Sequence, residues 1–306
     1  MQLRVIVNPA AAGGRVYKEW NSIKEEFALQ NISINWSFTE GRGEATAITT
    51  EALEDGFECV VAVGGDGTIN EVVNGFFREG ELINPAAAMG IISCGRGKDL
   101  ARTLALPRDV PSSVRRLKEG EKKRIDLCLV SCHNLSLEPI ERYFINVCDL
   151  GLGAAVIHHV NSSSLPLGGF ATYFYGVFKA LYSYNNSGIV RVVVDDRLCF
   201  EDSLYAVFVA NGRYIGGGMK IAPQAVLNDG LLDVIIIRDL HKLKLLYNFP
   251  RVYRGTHLNL PQVEYYQGER VEVQVERDLL IEMDGELPGK GSAAFEIIPK
   301  EMPVLV

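Results

Sequence analysis

No apolar run in this chain is long enough to span a bilayer, which excludes a helical membrane-embedded protein as the expectation. The opening residues M-Q-L-R-V-I-V-N-P carry no signal-peptide pattern, because their apolar run is short and leads into a turn. The six cysteines, at 59, 94, 128, 132, 148 and 199, form no C-x-x-C pair. Cys59, Cys128 and Cys148 sit in strand-like runs as small buried hydrophobes, and Cys128 and Cys132 are too far apart along one strand to bond. A reduced, cytoplasmic protein is expected. Five histidines include no H-E-x-x-H, and the adjacent His158 and His159 are read as surface or packing residues, so no histidine metal set is expected. Positive charge is not in excess: the net charge is −7, so the molecule as a whole is no nucleic-acid binder and an anionic partner must meet a local patch. Internal repeats and low-complexity tracts are also missing.

The chain does have the size and composition for two cores. Its 306 residues are 47% hydrophobic and 23% charged, ordinary for a globular protein and long for one domain. Its organising stretch is Val60 to Gly75, V-V-A-V-G-G-D-G-T-I-N-E-V-V-N-G. A β-branched run passes through Gly64-Gly65-Asp66-Gly67-Thr68 into a helical pattern. In a strand–glycine loop–helix arrangement, backbone N–H groups and a helix N-terminus face an anion. Three glycines in four residues suggest positive φ and close approach to a ligand, beyond what a tight turn needs. Thr68 and Glu71 have the spacing of a capping box.

G-G-D-G-T-I-N-E-V-V-N-G closely resembles the nucleotide-binding signature of the diacylglycerol kinase catalytic family, which includes bacterial lipid kinases and sphingosine and ceramide kinases. Its G-G-D-G-T core is shared with NAD kinases and, more distantly, 6-phosphofructokinases. Gly95 to Arg102, G-R-G-K-D-L-A-R, is similar to the family's second signature, G-T-x-N-D-F-A-R, with Arg96 and Lys98 where Thr and Asn are usual. The resemblance implies ATP held by Asn8, Gly64, Gly65, Asp66, Gly67, Thr68, Asn70, Glu71, Gly95 and Arg96.

Along the chain, Leu3–Asn8 reads as a strand ending in Asn8-Pro9, followed by small residues and Arg15. Helical spacing runs through Trp20, Ile23, Phe27 and Ala28, then come a strand at Ile32–Phe38, a helix over Gly43–Leu53, and strands at Cys59–Val63 and Ala86–Ile92. This alternation predicts an α/β domain with a parallel, helix-flanked sheet over 1–123. After the charged segment Arg115–Arg124, β-type runs recur: Ile125–Ser131, Tyr143–Cys148, Ile189–Val194, Leu204–Val209, Leu231–Ile237, Arg270–Val275 and Leu279–Met283. They predict a mainly β sandwich over 124–306. The resemblance implies the same NAD kinase/diacylglycerol kinase-like pair of domains, nucleotide in the cleft between them, and a C-terminal tail (about 292–306) that returns to the first.

Two motifs are decoys. Gly151-Leu152-Gly153-Ala154-Ala155-Val156 half-matches a dinucleotide fingerprint but reads better as a strand-to-helix turn. Gly97-Lys98 lacks the first glycine and the Ser or Thr of a Walker A loop.

Near the end, Glu282-Met283-Asp284-Gly285-Glu286 could, in extended chain, turn three carboxylates to one face, although Asp-Gly is also a common hairpin turn. The D-G-E triplet looks like the family's catalytic motif, which implies Asp284 as base and Glu286 as its supporting carboxylate. The resemblance likewise implies magnesium held by Asp229 with main-chain oxygens of Val226 and Leu231; oxygen donors suit that ion, and Asp233 is the fallback ligand. From the residues alone, Asp229 lies in a turn. Gly168–Tyr182 is aromatic, with Phe170, Phe174, Val177, Phe178 and Leu181 at helical spacing: core, or an acyl-chain pocket. His241–His257 interleaves Lys242, Lys244, Arg251 and Arg254 with apolar residues and no acid, fitting peripheral contact with anionic headgroups or a solvated helix.

These readings converge on an ATP- and magnesium-dependent kinase of a lipid hydroxyl, such as that of diacylglycerol, working at the inner membrane face. A soluble-substrate kinase of the NAD-kinase type and a non-catalytic nucleotide-binding protein stay open as alternatives. Oligomeric state is left open, a homodimer included.

Overall fold

The computed structural model describes every residue except Met1, Arg96, 157–168, 184–186 and Leu240, and of 169–174 and Ser183 the backbone only. The predicted nucleotide residue Arg96 and the histidines 158 and 159 lie outside the described residues, as do the side chains of Phe170 and Phe174. The chain forms two compact units, Met1–Ile125 with Lys300–Val306, and Asp126–Pro299.

In the first unit the strands are β1 (Leu3–Val7), β2 (Ile34–Phe38), β3 (Cys59–Gly64), the short pair β4 (Phe77–Arg78) and β5 (Glu81–Leu82), and β6 (Ala88–Ser93). The helices are α1 (Ala11–Leu29), α2 (Glu44–Glu54), α3 (Asp66–Gly75), α4 (Asp99–Thr103) and α5 (Val110–Glu119). Strands β2, β1, β3 and β6 pair in that order, all parallel. Every residue of β3 is buried, which is what a parallel strand covered on both faces requires. Val16, Trp20, Ile23 and Phe27 bury one stripe of α1 against β1 and β3. Ala28, expected on that stripe, is exposed. Val304 pairs in parallel with Met89 of β6.

The remaining strands are β7 (Lys122–Asn134), β8 (Pro139–Phe144), β9 (Val147–Gly151), β10 (Val190–Val194), β11 (Arg197–Asp202), β12 (Leu204–Ala210), β13 (Leu232–Arg238), β14 (Val263–Gly268), β15 (Arg270–Val275), β16 (Leu280–Met283) and β17 (Glu286–Leu305); all lie in the second unit except the start of β7, up to Ile125, and the end of β17, from Lys300, which belong to the first. One sheet runs β14-β13-β12-β9-β16-β17; the other runs β11-β10-β15-β17-β7-β8, so β17 belongs to both. Strand alternation divides the first sheet's side chains between two cores. Leu204, Val207 and Val209 of β12, with Leu232, Val234 and Ile236 of β13, fill the sandwich interior. Ala206, Phe208 and Ala210, with Ile235, pack on the other face against Val177, Ala180 and Leu181 of the helix Gly169–Ser183 and against Phe249. That helix buries 177, 180 and 181, whereas Phe178, expected on the same stripe, is 56% exposed.

The predicted strand Tyr143–Cys148 is two strands, β8 and β9, with a break at Ile145-Asn146. Asn211 holds the break open: its side-chain amide donates to the carbonyls of Ile145 and Asp126, 3.0 Å each. Gly151 to Val156 is a strand-to-helix turn, as expected. Among the described residues no helix is long and apolar enough to cross a membrane.

Candidate active site

In the first unit the site begins where β3 runs into α3. Gly65 is the N-cap, in extended backbone, and the helix opens at Asp66. The expected positive φ is not used at this loop; its glycines serve close approach instead. A Cβ on Gly64 would lie 2.5 Å from Thr68 Oγ1, and one on Gly95 would lie 2.6 Å from the Cα of Gly65. The two glycine loops thus touch backbone to backbone. Asp66 ties them: its carboxylate accepts the Asp99 N–H at 3.1 Å, at the start of α4. Burial raises the Asp66 carboxyl above its usual range, against the amides of Leu100, Asp99 and Lys98, which pull it down. A third strap comes from Asn8, whose Nδ2 donates to Thr68 Oγ1 at 2.9 Å while its Oδ1 accepts the Ala10 N–H at 3.0 Å. Left-handed backbone does occur one loop away, at Ala12, Gly13 and Gly14.

The expected capping box does not form, because Thr68 lies inside α3 and bonds Asn8. Glu71 instead reaches α2, accepting the N–H groups of Gly43 (2.9 Å) and Ala45 (3.1 Å). Asn70 is fully buried and accepts from Asn74 Nδ2. Glu71 thus caps α2 from α3, and Asn70 pairs with Asn74 one turn along the same helix. Lys98, at the N-cap of α4, is left-handed at φ 56°. Asp99 is buried and paired with Arg102 at 2.7 Å.

In the second unit the tip of the β16–β17 hairpin is Asp284-Gly285, with φ of 49° and 95°. Positive φ at both positions is the mirror-image two-residue turn that Asp-Gly favours. Met283 and Glu286 are cross-strand partners flanking it. The turn corrects the one-face expectation: side chains opposite each other share a face, so Glu286 lies on the side of Met283 and Glu282 on the other. Asp284 is itself buried, its Oδ2 accepting the Ile145 N–H at 3.2 Å and its Oδ1 the Val147 N–H at 3.0 Å. The strand break at Ile145-Asn146 supplies those amides. Asn146 and Asn211, which shape the break, were missed from sequence; the only available signals were Asn146 itself, inside an apolar run, and the Asn211-Gly212 pair after β12.

Glu282 pairs across strands with Asp149 of β9, and both are fully buried. Asp149 belongs to the wall of an apolar cavity of about 110 Å³, with Leu152, Val177, Phe208, Phe249 and His257 among its lining. The basic, apolar segment His241–His257 contributes on both sides. Leu245, Phe249, Val252 and His257 line the cavity, while Lys242, Lys244, Arg251, Arg254, Leu243 and Tyr247 are exposed. Asp229 is exposed in a turn, its Oδ1 accepting the Leu231 N–H at 3.1 Å. Asp126, unremarked in sequence, braces that turn from inside by accepting the Gly230 N–H at 2.7 Å.

Residues 2–130 match the family model described as the diacylglycerol kinase catalytic domain, and residues 146–306 match the YegS C-terminal NAD kinase beta sandwich-like domain. The chain is 28% identical over 305 residues to a diacylglycerol kinase of Bacillus subtilis, covering 98% of this chain and 96% of that one. It is 32% identical over 263 residues to a probable lipid kinase YegS-like of Chromohalobacter salexigens, covering 83% and 76%. Among solved structures, a putative diacylglycerol kinase from Bacillus anthracis superposes with a TM-score of 0.77 at 21% identity over 99% and 96% of the two chains. An NAD kinase from Archaeoglobus fulgidus in complex with ATP superposes with a TM-score of 0.51 at 15% identity over 100% and 94%. Those two likenesses speak to the fold. With the paired family models and the glycine-loop and D-G-E residues in place, the chain belongs to the diacylglycerol kinase catalytic-domain family of lipid kinases.

Proposed function

We propose that this protein transfers the γ-phosphate of ATP, with magnesium, to a lipid hydroxyl such as that of diacylglycerol. The observation that carries the reading is Asp284, an aspartate fixed at a hairpin tip by the amides of Ile145 and Val147. A base must be held in one geometry to take a proton as the hydroxyl oxygen attacks phosphorus. Glu286, one residue past the turn, supports it. The first unit is the nucleotide-binding unit: Asn8, Gly64, Gly65, Asp66, Gly67, Thr68, Gly95 and Arg96 hold the phosphates, and Asn70 and Glu71 brace the loop. The NAD kinase neighbour, which binds ATP, supports the choice of nucleotide.

The second unit is the lipid-substrate unit. Its cavity receives part of an acyl chain, and the exposed Lys242, Lys244, Arg251 and Arg254, with Leu243 and Tyr247, rest on an anionic membrane surface. The Asp229 turn offers only oxygen donors, a carboxylate and the carbonyls of Val226 and Leu231, which fits magnesium in kind. When bound, that ion offsets negative charge near the phosphates.

The test is transfer of labelled γ-phosphate from ATP into mixed-lipid vesicles, with Asp284→Asn alongside. Organic-phase label that the variant abolishes supports the reading. A wild type that binds ATP and labels no lipid sinks it.

A further inference from the structure

The two amides on Asp284 are themselves held, by Asn211-Gly212 just past the end of β12. The N–H that reaches Asp284 Oδ1 belongs to the peptide group Asn146–Val147. The carbonyl oxygen of that same group, on Asn146, accepts two N–H groups, from Asn211 at 2.9 Å and from Gly212 at 2.8 Å. A trans peptide is planar, with its oxygen and its hydrogen on opposite sides. Pinning the oxygen from one side therefore aims the hydrogen to the other, at the aspartate.

The preceding peptide group, Ile145–Asn146, is fixed by the Asn211 side chain. Its Nδ2 donates to the carbonyls of Ile145 and Asp126, 3.0 Å each. Both partners can only accept, so the amide has one workable orientation. Asn211 is fully buried, out of reach of any solvent that could stand in for it. Asn146 closes the arrangement, its Nδ2 donating to the Tyr214 carbonyl at 2.8 Å. Gly212 fits because a Cβ there would lie 1.9 Å from Asn146 Oδ1. If these residues served only to end β12, their backbone N–H groups would suffice, and almost any amino acid supplies those. The side-chain amide of Asn211 and the missing Cβ of Gly212 both engage the segment that serves Asp284.

We infer that Asn211-Gly212 is the positioning element of the base: it orients the peptide groups of 145–147 that fix the Asp284 carboxylate, and so governs turnover rather than affinity for lipid or ATP. The inference rests on the reading of Asp284 as the base. Neither residue has a part in the chemistry of its own; both act through Asp284.

The test is turnover with labelled ATP by Asn211→Ser, Asp284→Asn and the double variant, beside Val192→Ala, a sandwich-core change that lowers stability elsewhere. The serine is too short to reach the Ile145 carbonyl. It is expected to lower kcat about 10²-fold, with KM for lipid and for ATP within a few fold. In the Asp284→Asn background the same change should cost almost nothing more, because no base is left to position. Val192→Ala should lower the denaturant midpoint and leave kcat unchanged while folded. Losses that multiply in the double variant, or a folded Asn211→Ser with kcat near wild type, overturn the proposal. Amide hydrogen exchange reads the same arrangement without turnover: protection at Ile145 and Val147 is expected to fall at least about tenfold in Asn211→Ser while the rest of β9 and β12 holds. Unchanged protection at both amides overturns the positioning role. A wild type that transfers no phosphate while its variant shows that loss upholds the positioning of Asp284 and counts against the kinase reading alone. Gly212→Ala, which presses on Asn146 from the same side, reads the segment if Asn211→Ser does not fold.

Discussion

Gly95 and Gly65 meet backbone against backbone: a side chain on the first would place its Cβ 2.6 Å from the Cα of the second. The obstruction is main chain, which cannot swing aside as a flexible side chain can. The two signature loops of the first unit are thus one packed object, and their glycines are there for contact rather than for unusual φ.

Gly95→Ala should therefore strain both loops together. Overpacking of this kind costs about 1–3 kcal/mol. The expected outcome is a lower denaturant midpoint with unchanged m-value, and weakened ATP binding. An unchanged midpoint would mean that the loops separate freely.

Lys98 stands in left-handed backbone at φ 56°, ψ 34°. A branched or long side chain gains nothing there, whereas Asn tolerates the region and Gly is indifferent to it. Lys98→Asn, which restores the family's usual residue, should raise stability by about 1 kcal/mol, with Lys98→Gly similar and Lys98→Ala not. Equal stability for Ala and Asn would show that the backbone there relaxes.

Glu71 illustrates what could and could not be read in the sequence. The strand, the turn and the helix of its own motif were legible, because a fully buried parallel strand and a glycine loop leave a local signature. The partner of its carboxylate was not: the N–H groups of Gly43 and Ala45 belong to another helix, brought close only by packing. The same distinction holds in the second unit. Asp-Gly announces its own hairpin, so the turn at Asp284 could be foreseen, but no local pattern announces that the run from Tyr143 to Cys148 breaks at Ile145-Asn146 to deliver two amides. Nor does one strand reveal its register with another, which is what makes Glu282 and Asp149 neighbours.

Removing that cap with Glu71→Ala should cost about 1–2 kcal/mol, the usual worth of a helix N-cap carboxylate. ATP affinity, compared at a temperature where the variant is fully folded, is expected to hold within a few fold. A large loss of affinity with stability intact would return Glu71 to direct nucleotide contact.

Asp284→Asn replaces the carboxylate while one carbonyl oxygen can still accept a backbone amide. Loss of a general base lowers turnover by about 10²–10⁴-fold. The apparent KM for lipid should move little, and circular dichroism should match the wild type. Turnover within a few fold of wild type would remove Asp284 from the chemistry.

The Asp149–Glu282 pair also sets a pH dependence of stability. Burial pushes the Asp149 carboxyl up to about 7. Burial first, then the charge of Asp149, holds Glu282 well above the usual carboxylate range; Asp284 adds to this, and Cys148 lies in the same field. In the unfolded chain both carboxyls titrate near about 4. Above that value the folded protein keeps protons that the unfolded chain has lost, so the pair's contribution is full below about pH 4 and falls away as the pH rises through about 7. Each retained proton contributes a slope of up to about 1.4 kcal/mol per pH unit over that interval. Denaturant midpoints measured from about pH 5 to about pH 8 should fall for the wild type and run flatter for Asp149→Asn, which has no proton to lose at that position. Parallel curves for the two proteins would mean that the pair is ionised in the folded state throughout, and that some cation reaches it.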